Sequence, residues 1–135
     1  MSADAMRLEI RDERGECRYS AYLGGRRVGH AAWVLVRKTV VLPHVRVEAE
    51  ARAAGVGSLL LRRAFDDARA EGHSVLPWCA YTRRWAQLHP AYADVARHLR
   101  VGERAFVQRV VAATEALEEM TLARPREPVA PLART

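Results

Sequence analysis

The residues with the most readable chemistry lie together as Arg52-Ala53-Ala54-Gly55-Val56-Gly57, followed by Ser58. Two glycines remove side chains where backbone N–H groups must come close to an anion. The amphipathic stretch that follows predicts a helix starting near Ser58, whose free N–H groups and positive dipole end would face the same anion. This pattern suits a pyrophosphate. Outside the loop, Cys79, Tyr81 and His44 carry groups that can donate, accept or attack, and each also has a plain packing explanation. A free cysteine fills apolar space well, a tyrosine opening a helix packs with its hydroxyl tied down, and a strand histidine is often structural. Glu48 and Glu50 offer bases acting through water, and Arg83 and Arg84 offer cations toward phosphates.

Position comes from the flanking elements. Leu8 and Ile10 alternate with charges, as do Cys17, Tyr19, Ala21 and Leu23 after the Arg14-Gly15-Glu16 turn, which predicts two short strands. Gly24-Gly25 turns the chain into a more buried strand from Val28 to Val36, and another follows from Val40 to Val47. Pro43 has no N–H for a ladder and predicts a bulge or unpaired position there. Leu61, Ala64, Phe65 and Ala68 form the buried stripe of the helix that Gly72 ends. A short buried strand from Ser74 to Cys79 comes next, parallel to the strand before the loop. A helix from Tyr81 to Leu88 stops at His89-Pro90, and Tyr92, Val95, Ala96 and Leu99 suggest a further short helical turn. After Gly102, Phe106, Val110, Ala113, Leu117 and Met120 predict a long helix packed on its own domain through that stripe, or pairing with a second copy through it. The expected layout is one domain over 1–101, a helical extension over 102–122, and a disordered proline-bearing tail over 123–135.

Composition narrows the partners. The chain has 135 residues, half of them apolar, which suits a single core. Its formal charge of +6 favours an anionic partner, but Lys38 is the only lysine and the arginines are scattered. Without an aromatic and basic platform, nucleic acid is disfavoured. Five histidines and two cysteines show no metal-ligand spacing, so no metal is expected, and Cys17 and Cys79 read as reduced thiols. Neither a leader-type apolar segment nor a membrane-length run is seen, and the expected location is the cytoplasm.

The loop sits in an ordered series: Leu42-Pro43-His44 and Val47 upstream, then Pro77-Trp78-Cys79-Ala80-Tyr81, then His89-Pro90-Ala91-Tyr92. From about Val40 to Val95 this series resembles the small stand-alone branch of the GNAT N-acetyltransferase superfamily. That branch has a histidine-bearing strand, an Arg-Gly-x-Gly-x-Gly/Ala loop, Pro-x-Cys-x-Tyr and His-Pro-x-Tyr. Arg46 stands where the pattern has glutamate, and Ala53 where it has its first loop glycine. The resemblance implies an α/β (α+β) fold with a mixed, mostly antiparallel sheet splayed between two parallel strands, with the helix after Gly102 as an addition. It implies acetyl-CoA as acyl donor, with the pantetheine arm along the backbone of Val45, Arg46 and Val47. The pyrophosphate would lie on Arg52, Ala53, Ala54, Gly55, Val56, Gly57 and Ser58.

Acetyl transfer requires a neutral amine beside the thioester, a donor to the developing oxyanion and a proton for the departing thiolate. On this resemblance Cys79 borders the acetyl group. It then serves as a covalent nucleophile, as an acid for the thiolate, or as pocket lining. Tyr81 is a candidate acid or carbonyl donor, and His44 a candidate proton relay. The expected function is acetyl-CoA-dependent N-acetyltransfer to an amine, small or on a protein. The alternative is a coenzyme-binding module acting in partner binding or sensing, and a homodimer through the last helix is compatible with either.

Overall fold

A computed structural model describes residues 7–123. The chain runs β1 (Leu8–Glu13), β2 (Arg18–Leu23), β3 (Arg26–Ala32), β4 (Val34–Val36), β5 (Thr39–Leu42), β6 (Val45–Val47), α1 (Val56–Glu71), β7 (Ser74–Pro77), α2 (Ala80–Leu88) and α3 (Arg104–Ala123). Short 3₁₀ turns occupy Arg14–Glu16, Ala49–Ala54 and Pro90–Tyr92. The strands form two sheets, ordered β1-β2-β3-β6 and β4-β5-β7, and only the β5–β7 pairing is parallel.

The two long strands expected from Val28 to Val36 and from Val40 to Val47 are each broken, and the breaks create the fold's main opening. The first is interrupted at Trp33, between β3 and β4, and the second at Pro43-His44, between β5 and β6. Pro43 cannot donate a ladder bond, so β5 continues against β7 while β6 turns to pair with β3. The last rung between the parallel strands is the Trp78 N–H to the Leu42 carbonyl, at 3.1 Å. Beyond it the sheets part, in the place where a splay is expected.

Helix α1 covers one face of the first sheet. Its stripe includes Leu60, Leu61, Ala64, Phe65 and Ala68, buried with Tyr19, Ala21, Val28, Ala31 and Leu42 in the main core. Gly72 caps it in a left-handed conformation, φ 75°. A second cluster joins Val41 and Leu76 of β5 and β7 to Val107 and Val111 of α3. This corrects the expected docking stripe. Phe106, Leu117 and Met120 remain 47%, 63% and 60% exposed, Ala113 is also exposed, and only Val110 of that set is partly buried. The helix instead docks through Val107, Val111, Thr114 and Glu118, a stripe with the same four-three-four spacing rotated around the cylinder.

Two smaller readings are also revised. Cys79 ends no strand but caps α2, and the turn expected from Tyr92 to Leu99 is helical only over Pro90–Tyr92, after which Ala96 bridges Val75. The proline-bearing tail lies outside the described residues apart from Ala123, which ends α3.

Candidate active site

The glycine loop forms the anion-facing end of α1. Gly55 is left-handed at φ 74°, ψ 25° and is the helix N-cap, so the helix starts at Val56, slightly ahead of the expected Ser58. The Gly55 N–H closes back onto the Arg52 carbonyl, and the Leu59 N–H makes the first helical bond, to the Gly55 carbonyl at 3.1 Å. The N–H groups of Val56, Gly57 and Ser58 precede that bond and lack intrahelical acceptors, and no side chain caps the end. They point forward together with the helix dipole. Ala53 and Ala54 form the exposed outer wall of the preceding turn.

Arg52 ties this loop to the gap. Its Nε donates to the Val47 carbonyl at 3.1 Å. The Glu48 N–H donates to the Val28 carbonyl, fixing which backbone groups of β6 face β3. With Gly29 opposite Val47 and His30 opposite Arg46, antiparallel alternation turns the N–H and C=O of Arg46 inward and those of Val45 and Val47 outward, along the open edge. An edge strand with outward ladder groups can hold an extended amide chain as another strand would. The side chains of Val45 and Val47 join the α1 core, while Arg46 points to the other face, 64% exposed.

Tyr81 closes the gap from the far side. A Cβ built on Gly57 would lie 2.8 Å from the Tyr81 hydroxyl and 3.3 Å from Cζ, so the ring rests directly on the glycine. Burial first, and the neighbouring Cys79 charge second, raise the Tyr81 hydroxyl above its ordinary value. A tyrosine hydroxyl carries its proton at neutral pH, and this shift keeps it there. Ser58 Oγ accepts from Trp85 Nε1 at 2.8 Å, which locks α2 to the first turn of α1. Trp85 in turn stacks on His89, ring centroids 4.0 Å apart, and the His89 Nδ1 contacts the Trp85 carbonyl at 2.7 Å.

Cys79 is partly buried, and its sulfur accepts the Thr82 N–H at 3.4 Å while lying 3.0 Å from Thr82 Oγ1. Both interactions belong to a helix cap, so the thiol has a structural task in addition to any chemical one. Cys17 is also free, on the surface.

His44 lies where the sheets part, 8% exposed, and α3 brings a carboxylate against it. Glu118 Oε1 is 2.7 Å from His30 Nε2 and 2.8 Å from His44 Nε2, and Arg46 Nε lies 3.9 Å from the same oxygen. Burial alone would raise the Glu118 carboxyl, but the hydrogen bonds and charges of the two histidines outweigh it and hold it at about 2. The donor types resemble those of a zinc site, with all ligand atoms within 4.8 Å of one another. However, both histidine contacts are already complete hydrogen bonds, and a guanidinium sits beside the carboxylate. As it stands the trio is a hydrogen-bonded clasp, and its donor set is also one that a divalent cation can use.

Sequence spacing did not reveal His30 and Glu118, because β3, the β5–β6 break and α3 meet only in three dimensions. The one available signal was the second apolar stripe of α3, whose continuation past Val111 and Thr114 falls on Glu118.

Comparison with known proteins agrees with this architecture. The family model of the GCN5-related N-acetyltransferases matches residues 18–95, more than half of the chain. The chain belongs to that family, and its fold is that of a GNAT acyltransferase domain with an added C-terminal helix. A GCN5-like protein of Staphylococcus aureus, solved by NMR, aligns at TM-score 0.57 with 17% identity, covering 75% of this chain and 96% of that one. The ribosomal-protein-S18-alanine N-acetyltransferase of Escherichia coli aligns at TM-score 0.42 and 19% identity, over 43% of this chain and 38% of that one. The IAA acetyltransferase of Bacillus cereus aligns at TM-score 0.40 and 30% identity, over 43% and 40%. The shared region is thus well under half of either enzyme's length. No curated protein matches the sequence. Among the described residues no helix is long and apolar enough to cross a membrane.

Proposed function

We propose that the chain transfers the acetyl group of acetyl-CoA to an amine. The observation that carries this reading is the pairing of an uncapped α1 N-terminus with the open edge of β6, joined by the Arg52 bond to Val47. Together they offer an anion seat and outward ladder groups, the two kinds of contact that a pyrophosphate and an amide-bearing arm require. In this reading Arg52 through Ser58 hold the pyrophosphate and the outward backbone groups of Val45 and Val47 hold the arm, while those of Arg46, expected to share that task, pair with β3. The absent side chain at Gly57 lets the Tyr81 ring rest on the first turn of α1, beside the anion seat. The acetyl group then lies between the start of α2 and the Pro43-His44 break. Tyr81 and Cys79 are the proton donors on the α2 side, suited to the departing thiolate, and His44 is the group on the opposite side.

The reading includes a cytoplasmic location. It also includes a homodimer through the exposed Phe106, Leu117 and Met120 stripe of α3. A second reading, coenzyme binding without turnover, is favoured by α3 lying across the histidine-bearing face. One experiment separates the two. Incubation with radiolabelled acetyl-CoA and an amine panel of peptidyl lysine, a peptide N-terminus and spermidine should label at least one amine. Retention of label by the protein with none on any amine would favour the binding module.

A further inference from the structure

Helix α3 lies beyond the residues that match the family, yet it places a buried carboxylate on the candidate proton-accepting histidine. The Glu118 side chain is 10% exposed. Being ionised, it can only accept, so the bonds at 2.7 and 2.8 Å require His30 and His44 each to carry a proton on Nε2. That leaves the other nitrogen of His44. Among the described residues Nδ1 is buried without a hydrogen-bond partner, its nearest charged neighbour being Glu115 Oε2 at 3.3 Å. A buried imidazole nitrogen bearing a lone pair, backed by a carboxylate on its opposite nitrogen, has the arrangement in which a carboxylate orients a histidine base.

We propose that Glu118 is a positioning residue that fixes His44 in the Nε2–H tautomer, making Nδ1 the acceptor of the proton that the amine substrate must lose. The inference rests on the acetyltransferase reading. In the step, an ammonium N–H bond breaks and the proton forms a bond to Nδ1. The freed amine attacks the thioester carbon, the new C–N bond replaces the C–S bond, the thiolate takes a proton from Tyr81 or Cys79, and the second proton of the same nitrogen restores that donor. The His44 imidazolium then sits between Glu118 and Glu115, and the 46% exposed Glu115 carboxylate is its proton outlet to solvent. The groups facing His44 are Glu115 and Glu118 from α3, His30 from β3 and, across the carboxylate, Arg46 from β6. Glu118 touches no reacting atom. It acts through the imidazole.

The test uses the full chain with acetyl-CoA and two probes, a lysine-containing peptide and spermidine. Glu118→Gln keeps the size and loses the charge. It should lower kcat roughly 10- to 100-fold, leave KM for acetyl-CoA within about twofold, and move the acidic limb of the kcat profile to lower pH. A Glu118→Gln/His44→Gln double variant should be no slower than His44→Gln alone. Long-range proton–nitrogen NMR of the unmodified protein should show His44 as the Nε2–H tautomer without any acceptor present. Equal kcat and an unmoved acidic limb in a folded Glu118→Gln protein would overturn the assignment, as would an Nδ1–H tautomer. Zn²⁺ that raises the melting temperature only while His30, His44 and Glu118 are all intact would also overturn it, in favour of a metal site. If the wild type is stabilised by acetyl-CoA but acetylates neither probe at any pH, the acetyltransferase reading fails first and this role falls with it. That outcome is distinct from a variant that matches an active wild type.

Discussion

Replacing Gly57 with valine separates coenzyme binding from folding, because the two effects have very different sizes at this position. The Cβ would meet the Tyr81 hydroxyl at 2.8 Å, closer than any stable contact. The obstacle is nevertheless the end of a side chain that is 48% exposed, so the ring can swing into solvent. Valine also loses less backbone entropy than glycine in a helix, by a few tenths of a kcal/mol, which offsets part of the displaced contact. The net change in folding should stay within about 1–2 kcal/mol. Binding should respond far more. Coenzyme at about 100 times its dissociation constant stabilises a protein by about 2.7 kcal/mol. For a domain of this size that corresponds to a rise of roughly 8–13 °C in melting temperature. A branched side chain that drives Tyr81 off the first turn of α1 and crowds the loop beside the free N–H groups should remove nearly all of that rise. Differential scanning fluorimetry with CoA, acetyl-CoA and an adenine dinucleotide provides the assay, with the dinucleotide expected to have no effect on either protein. A variant that folds and still shows the full CoA response would refute the assignment of the loop.

The remaining predictions concern α2 and α3. Cys79→Ala should lose a cap worth about 1 kcal/mol and slow transfer by ~10² to 10⁴ without a stable acetyl adduct, whereas Cys79→Ser should keep the cap and some activity. An acetyl-Cys79 peptide forming and decaying at the turnover rate, detected by mass spectrometry, would establish a covalent route instead. Val111→Ala should cost about 1–3 kcal/mol in urea unfolding while Leu117→Ala stays within about 0.5, since only Val111 lies in the docked stripe. Equal costs would mean α3 docks through the other face. Finally, Glu118 and Glu103 are both held at about 2, Glu103 by the Arg97 guanidinium and the Arg100 N–H. Their folded values lie below the ordinary carboxylate value, so their stabilisation is present above about pH 4.5 and is lost as pH falls toward about 2. Acid titration by circular dichroism should show α3 loosening in that window, and Glu118→Gln should make the loss shallower. Identical acid profiles would mean that the clasp does not hold the helix.

What the sequence could and could not reveal follows from the range of each interaction. The loop, α1, the parallel β5–β7 pair and the end of α2 at His89-Pro90 depend on local chemistry: a left-handed glycine, a 3.6-residue period, a residue without an N–H. Those were legible. Pro43 announces an unpaired position, and the splay itself follows from the family resemblance, whereas the break at Trp33 has no signal, because nothing in Ala31-Ala32-Trp33-Val34 forbids a continuous strand. The face used by α3 is not legible in the sequence for a different reason. Its apolar residues form two stripes, Phe106-Val110-Ala113-Leu117-Met120 and Val107-Val111-Thr114, with nearly the same spacing, and periodicity cannot choose between stripes of equal period. The choice rests on long-range partners. Val41 and Leu76 offer an apolar surface, Arg97 grips Glu103 at the start of the helix, and His30 and His44 receive Glu118 near its end. Docking through the other stripe would bury Phe106, Leu117 and Met120 in place of Val107 and Val111, but it would leave two buried imidazoles without their carboxylate, and those unmade hydrogen bonds oppose that rotation. Glu118, a polar residue on the docked stripe, therefore takes part in selecting the rotation of the helix. The same carboxylate faces the candidate base of the site, so a contact that helps select how the added helix docks also sets the state of the histidine beneath it.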